Sequence, residues 1–75
     1  MRPIYEIAQD IRKDWRNVYF GAVPYLEAMH TLESVHDRHG YDSAKSIISY
    51  FLANASSWRG EKAKQIKQEL KQIIK

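Results

Sequence analysis

Two stretches of this sequence hold residue types at spacings that chemistry can use. The first is "HTLESVHDRH", residues 30–39, with three histidines and the pair Glu33-x-x-His36. Such a pair on one helix is part of what a carboxylate-bridged di-iron bundle requires. The rest is a second Glu-x-x-His and two further glutamates from facing helices. No second pair occurs in the chain. His30, Glu33, His36 and His39 also advance three residues at a time, so on a helix they fan around the axis without converging. No metal centre is expected. His36, on an apolar stripe, is read as a hydrogen-bonded histidine at the core edge, and His39 as a partner for the negative end of a helix dipole.

The second stretch is basic. Residues 59–75 carry Arg59, Lys62, Lys64, Lys67, Lys71 and Lys75 against Glu61 and Glu69, a net of +4. Residues 1–58 carry −1, which makes +3 for the whole chain. On a helical wheel Lys64, Lys67, Lys71 and Lys75 share one side. Like charges at i, i+4 cost roughly 0.2–0.5 kcal/mol a pair, so an unneutralised stripe suggests an anionic partner. Arg59, Lys64, Lys67, Lys71 and Lys75 would then contact phosphates, with Trp58 available to stack on a base. The competing expectation is a solvated outer face, whose lysines the helix dipole favours near a C-terminus. The apolar side of this stretch has no Trp or Phe, so it is not expected to lie on a membrane.

No other motif carries chemistry. Serines are plentiful, but none pairs with a histidine and an acid at a recognisable spacing. Gly21, Gly40 and Gly60 each fall at an expected helix end, and no glycine loop could cradle a phosphate. Neither catalysis nor a cofactor is expected.

These residues must be positioned by helices. Ile4, Ile7, Ala8, Ile11, Trp15 and Val18 recur at helical spacing behind Pro3, which predicts a first helix to about residue 17. Pro24 opens a second, with Tyr25, Ala28, Met29, Leu32, Val35 and His36 in phase and Gly40 as its left-handed end. Asp42 is read as the N-cap of a third, whose stripe is Ala44, Ile47, Ile48, Phe51, Leu52 and Ala55. A corner is predicted between residues 56 and 60. Ser56 or Ser57 could cap a fourth helix there, and Gly60 could close the earlier helix or open the later one. From Glu61 the residues Ala63, Ile66, Leu70, Ile73 and Ile74 keep the helical period to the end. The expected fold class is all-α: one domain, residues 1–75, built as a small bundle of about four short helices.

The turn "RHGYDSAK" superficially resembles a DNA-reading helix-turn-helix, with Ser43, Lys45, Ser46, Ser49 and Tyr50 as readers. That motif wants a small residue four places before the turn glycine and a buried apolar one six places after it. His36 and Ser46 stand there, and the exposed start of the third helix lacks the usual base readers. A helix-turn-helix is not expected.

A chain of 75 residues buries only about 60% of the surface its unfolded form exposes, and it has no cysteine to staple it. Nine aromatic residues exceed what so small a core needs. Tyr19, Phe20, Tyr50 and Trp58 are candidate interface anchors, and a homodimer is one outcome. Trp58 is in phase with the third helix, which favours the core over a surface role. No apolar run is long enough to span a membrane, and "MRPIYEIAQD" does not read as a secretion signal. Asn54-Ala55-Ser56 is accordingly read as a chance sequon, and the expected location is the cytoplasm.

The strings "RPIYEIAQDIRKDW", "AVPYLEAM" and "YFLANASSWRGEKAK" resemble small uncharacterised proteins encoded by phages and integrative elements of low-GC Gram-positive bacteria. The resemblance covers nearly the whole chain. It implies an accessory protein of a mobile element, a binder or regulator, and transfers no functional residue. The expected function is that of a non-enzymatic adaptor or regulator acting on a protein partner. The alternative is a nucleic-acid-binding accessory protein that uses the basic helix.

Overall fold

A computed structural model describes residues 2–75. The chain forms α1 (Ile4–Asp14), α2 (Val23–Met29), β1 (Arg38–His39), β2 (Asp42–Ser43), α3 (Ala44–Ala53) and α4 (Glu61–Ile73). It is a small, broadly helical domain of four helices with one short hairpin, not a purely α one. None of its helices is long and apolar enough to cross a membrane, among the described residues.

Each helix buries the stripe its period sets out. Ile4, Ile7, Ala8 and Ile11 face inward from α1, and Ala44, Ile47, Ile48 and Phe51 from α3. Ala63, Ile66, Leu70 and Ile73 do so from α4. Contacts between α2 and α3 are the most extensive, while α1 sits between α2 and α4. No polar or charged residue is fully buried among the described residues, so the core is held by apolar packing.

The second predicted helix is the main correction. It ends at Met29, well short of Gly40. The cause is the N-terminus of α1, where Pro3 offers no side-chain cap. Four amide N–H groups at a helix start need outside acceptors. Ile4 and Tyr5 donate theirs to the carbonyls of Glu33 and Leu32, at 3.0 and 2.8 Å. Those carbonyls are free to accept because the chain has left the helix. Thr31 Oγ1 assists, donating to the Ala28 carbonyl at 2.6 Å. Asp37 then secures the turn, its Oδ2 accepting from the amides of Glu33 and Ser34 at 2.8 and 3.1 Å.

Residues 38–43 form an antiparallel hairpin in which His39 pairs with Asp42 across the two-residue turn Gly40-Tyr41. Gly40 takes φ +64°, the left-handed value a glycine at the first turn position supplies. It is left-handed as expected, but it turns a hairpin and does not end a helix. Asp42 therefore lies in a strand, and Ser43 is the N-cap of α3, its Oγ accepting from the Ser46 amide at 3.2 Å. His36 is exposed in the turn, not at the core edge. His39 lies in β1 and not in the last turn of a helix, with Nδ1 3.1 Å from Thr31 Oγ1.

The 56–60 corner is where it was predicted, since α3 ends at Ala53 and α4 begins at Glu61. Neither Ser56 nor Ser57 caps α4. The N-cap is Gly60, at φ 113° and ψ 175°.

Candidate functional site

Two surfaces gather candidate site residues, and the corner at residues 54–60 lies between them in the chain. Their arrangement follows from one aromatic cluster. Trp58 drops into the core from the corner and stacks on Trp15, with ring centroids 5.7 Å apart and planes 10° from parallel. Phe51 meets both rings edge-on, at 6.1 and 6.3 Å. The Trp58 indole donates to Asp14 Oδ2 at 2.8 Å. With 2% of its surface exposed, Trp58 is a core residue. Its stacking role on a base is thereby corrected: the ring is buried, with Trp15 stacked on it and the Lys67 ammonium over it.

The first surface is aromatic. Phe20 is 79% exposed and Tyr50 52%, and Tyr19 is exposed as well. Tyr19 packs on Phe20 at 4.8 Å, and Tyr50 stacks on the half-buried Tyr25 of α2 at 5.4 Å. Gly21 joins the two pairs. A Cβ on it would come within 2.6 Å of Tyr19 Cε2 and 2.9 Å of Asn54 Oδ1, so the glycine lies against both. Asn54 is one helical turn beyond Tyr50 on the same face, its Nδ2 donating to the Tyr50 carbonyl at 2.8 Å. Tyr19 and Phe20 of the α1–α2 connection and Tyr50 of α3 thus belong to one surface, with Tyr25 of α2 as a fourth member. Tyr25 was assigned to an apolar stripe in the sequence, and only the α2–α3 contact reveals its outer edge.

The second surface is basic. Arg59, Lys64, Lys67 and Lys71 line a cleft of about 300 Å³ with Trp58, Gly60, Ala63 and Gln68, and no carboxylate lines it. Lys67 is anchored. Its Nζ donates to the Trp58 carbonyl at 2.7 Å and lies 5.7 Å from the centre of that ring. Burial, with the like charges of Lys71 and Arg59 added, pulls the Lys67 ammonium below the ordinary lysine range. Lys75 is not part of this group: it lines a separate hollow with Lys45, Arg38 and Asp37.

Glu61 stands in the first turn of α4 beside Gly60, while Asp10, Asp14 and Glu69 are engaged away from the cleft. Glu69, on the opposite flank of α4, receives Arg2 through two hydrogen bonds of 2.9 Å, and Arg2 also pairs with Asp10. Lys62, on that same flank, lines a hollow with Asp10 and Asp14. Among the described residues, no group of three or more His, Cys, Asp or Glu side chains is placed to hold a metal ion. His30 instead accepts from Arg12 Nε at 3.0 Å, and burial together with that guanidinium holds its pKa below the ordinary value.

No protein-family model matches the chain, and neither a curated protein nor a solved structure does.

Proposed function

We propose that this chain is a non-enzymatic adaptor or regulatory protein that works by binding another protein through the Tyr19–Phe20–Tyr25–Tyr50 surface. The observation carrying the reading is the exposure of Phe20 and Tyr50 beside a core already filled by Trp15, Phe51 and Trp58. Stable small domains rarely leave large aromatic side chains in water without a use, and Tyr and Trp anchors dominate interface energies. The chain's net +3 favours a partner with acids around an apolar centre. The setting implied by the resemblance is a mobile element, and the location proposed with it is the cytoplasm.

The test places a photo-crosslinking residue at position 20 or 50 in cells, with exposed Gln9 as the control position. The expected product is one acidic protein joined at both 20 and 50, and lost when Tyr25 is changed to Ser. Crosslinking no stronger than at position 9 would remove the reading. A self-adduct would replace the partner with a second copy of this chain, a homodimer.

A further inference from the structure

The basic cleft is not used by the aromatic surface, and the fold has built it with some care. On α4 the apolar stripe has two flanks. One carries Lys62 and Glu69 and faces the acids and Arg2 of the N-terminal segment. The other carries Lys64, Lys67 and Lys71 and faces the corner residues Trp58 to Gly60. Among the described residues, none of Arg59, Lys64, Lys67 or Lys71 has an acidic partner within 4 Å, since the ion pairs formed are those of Arg2. Segregated charge of this kind raises the local potential and draws in a polyanion.

Lys67 gives the cleft a fixed point. Of its three ammonium donors, one is held by the Trp58 carbonyl, and the others remain for a ligand. A lysine held in place has already lost much of the rotamer freedom that a surface lysine surrenders on binding. Gly60 and Ala63 also line the cleft, but Glu61 in the first turn of α4 offsets the positive end of the helix dipole, so the charge of the cleft is that of its four basic side chains.

We infer that this cleft is a binding site for the phosphate backbone of a nucleic acid. Lys64 and Lys71 are about 10 Å apart along the axis at 1.5 Å a residue, which suits a run of phosphates better than one isolated group. Trp58 lines the cleft but with only 2% of its surface exposed, too little for a base to stack on. Recognition therefore rests on charge, and binding is independent of base sequence. An acidic protein face is the less suitable occupant, since the cleft has no exposed apolar anchor of the kind protein interfaces centre on.

The experiment is fluorescence anisotropy of a labelled DNA duplex of roughly 20 base pairs, titrated with the intact protein between about 50 and 200 mM salt. Two unrelated base sequences are compared. The expected result is equal affinity for both, with log Kd rising against log salt by about 3 to 4, as for four phosphates at 0.9 each. Lys64→Glu/Lys71→Glu should weaken binding at least about tenfold, whereas Lys64→Arg/Lys71→Arg should keep it. The charge-matched control Lys13→Glu/Lys45→Glu changes exposed lysines outside the cleft. Thermal unfolding confirms that each variant is folded. No binding at low salt overturns the inference, and so does equal weakening by the control pair. Displacement of the DNA by poly-glutamate at equal charge also overturns it, in favour of an acidic protein ligand. The crosslinks at positions 20 and 50 are read separately, so either surface can fail alone.

Discussion

Trp58 Nε1 donates to Asp14 Oδ2 at 2.8 Å, joining positions 44 residues apart in the chain. This bond and the Trp15–Trp58 stack fasten the α3–α4 corner to the end of α1. The same residue holds Lys67 through its carbonyl, so one side chain closes the core while its backbone organises the basic cleft.

Trp58 should therefore be the most sensitive position in the corner. Trp58→Ala removes a buried ring at a cost of about 3–5 kcal/mol, against a total of about 5–15 for a typical domain. Trp58→Phe keeps much of the packing but loses the bond to Asp14, worth about 1 kcal/mol. Urea midpoints should fall in the order wild type, Phe, Ala. An alanine variant as stable as wild type would show that the ring is not part of the core.

Gly60 has φ 113° and ψ 175°, a region essentially restricted to glycine. Gly60→Ala should cost about 1–3 kcal/mol of backbone strain, although no atom lies within 4 Å of the added Cβ. Gly60→Asn should not rescue it, because Asn tolerates the left-handed helical region and not this one. Thermal melts of the two variants check this; a wild-type Tm for either would contradict the geometry.

Asp10 provides a pH dependence. Its hydrogen bond from Arg2 lowers its pKa below the ordinary 3.8. As pH falls, the unfolded chain takes up this proton before the folded one does. The stabilisation from Asp10 is thus complete above the unfolded value and is lost as pH falls through the folded one. For a half-buried pair open to solvent on one side it should amount to about 0.2–1 kcal/mol. Asp10→Asn should lie below wild type in urea midpoint near neutral pH and converge with it in acid. A constant gap across that range would mean that the ion pair does not set the difference.

Gly21→Ala separates surface geometry from stability. The new Cβ would clash with the edge of the exposed Tyr19 ring and with Asn54 Oδ1, both side-chain groups that can swing away, so stability should change by no more than about 1 kcal/mol. The Tyr19–Phe20 arrangement would not survive. Crosslinking from position 20 should fall while the melting curve stays nearly the same, and unchanged crosslinking would exclude Tyr19 from the contact.

The helical stripes were legible because helix period is local. Ile4 to Ile11, Ala44 to Phe51 and Ala63 to Ile73 all face the core as their spacing predicted. The 56–60 corner was legible for the same reason, and so was the grouping of Lys64, Lys67 and Lys71, since residues three and four apart share a helix face. What the sequence by itself determined about this protein is thus the identity of each buried face and the sign of the charge beside it.

Tertiary structure decided the rest. Residues 30–37 have helical spacing, yet they unwind because the amides of Ile4 and Tyr5 require the carbonyls of Leu32 and Glu33. That demand comes from a helix almost thirty residues away, and no local pattern carries it. Docking of α4 likewise decided which flank meets the acids, leaving Lys67 to Trp58 and Glu69 to Arg2. Packing of α2 against α3 brought Tyr25 to Tyr50. Periodicity assigns a residue to a face, whereas only the packed chain determines which other face it meets.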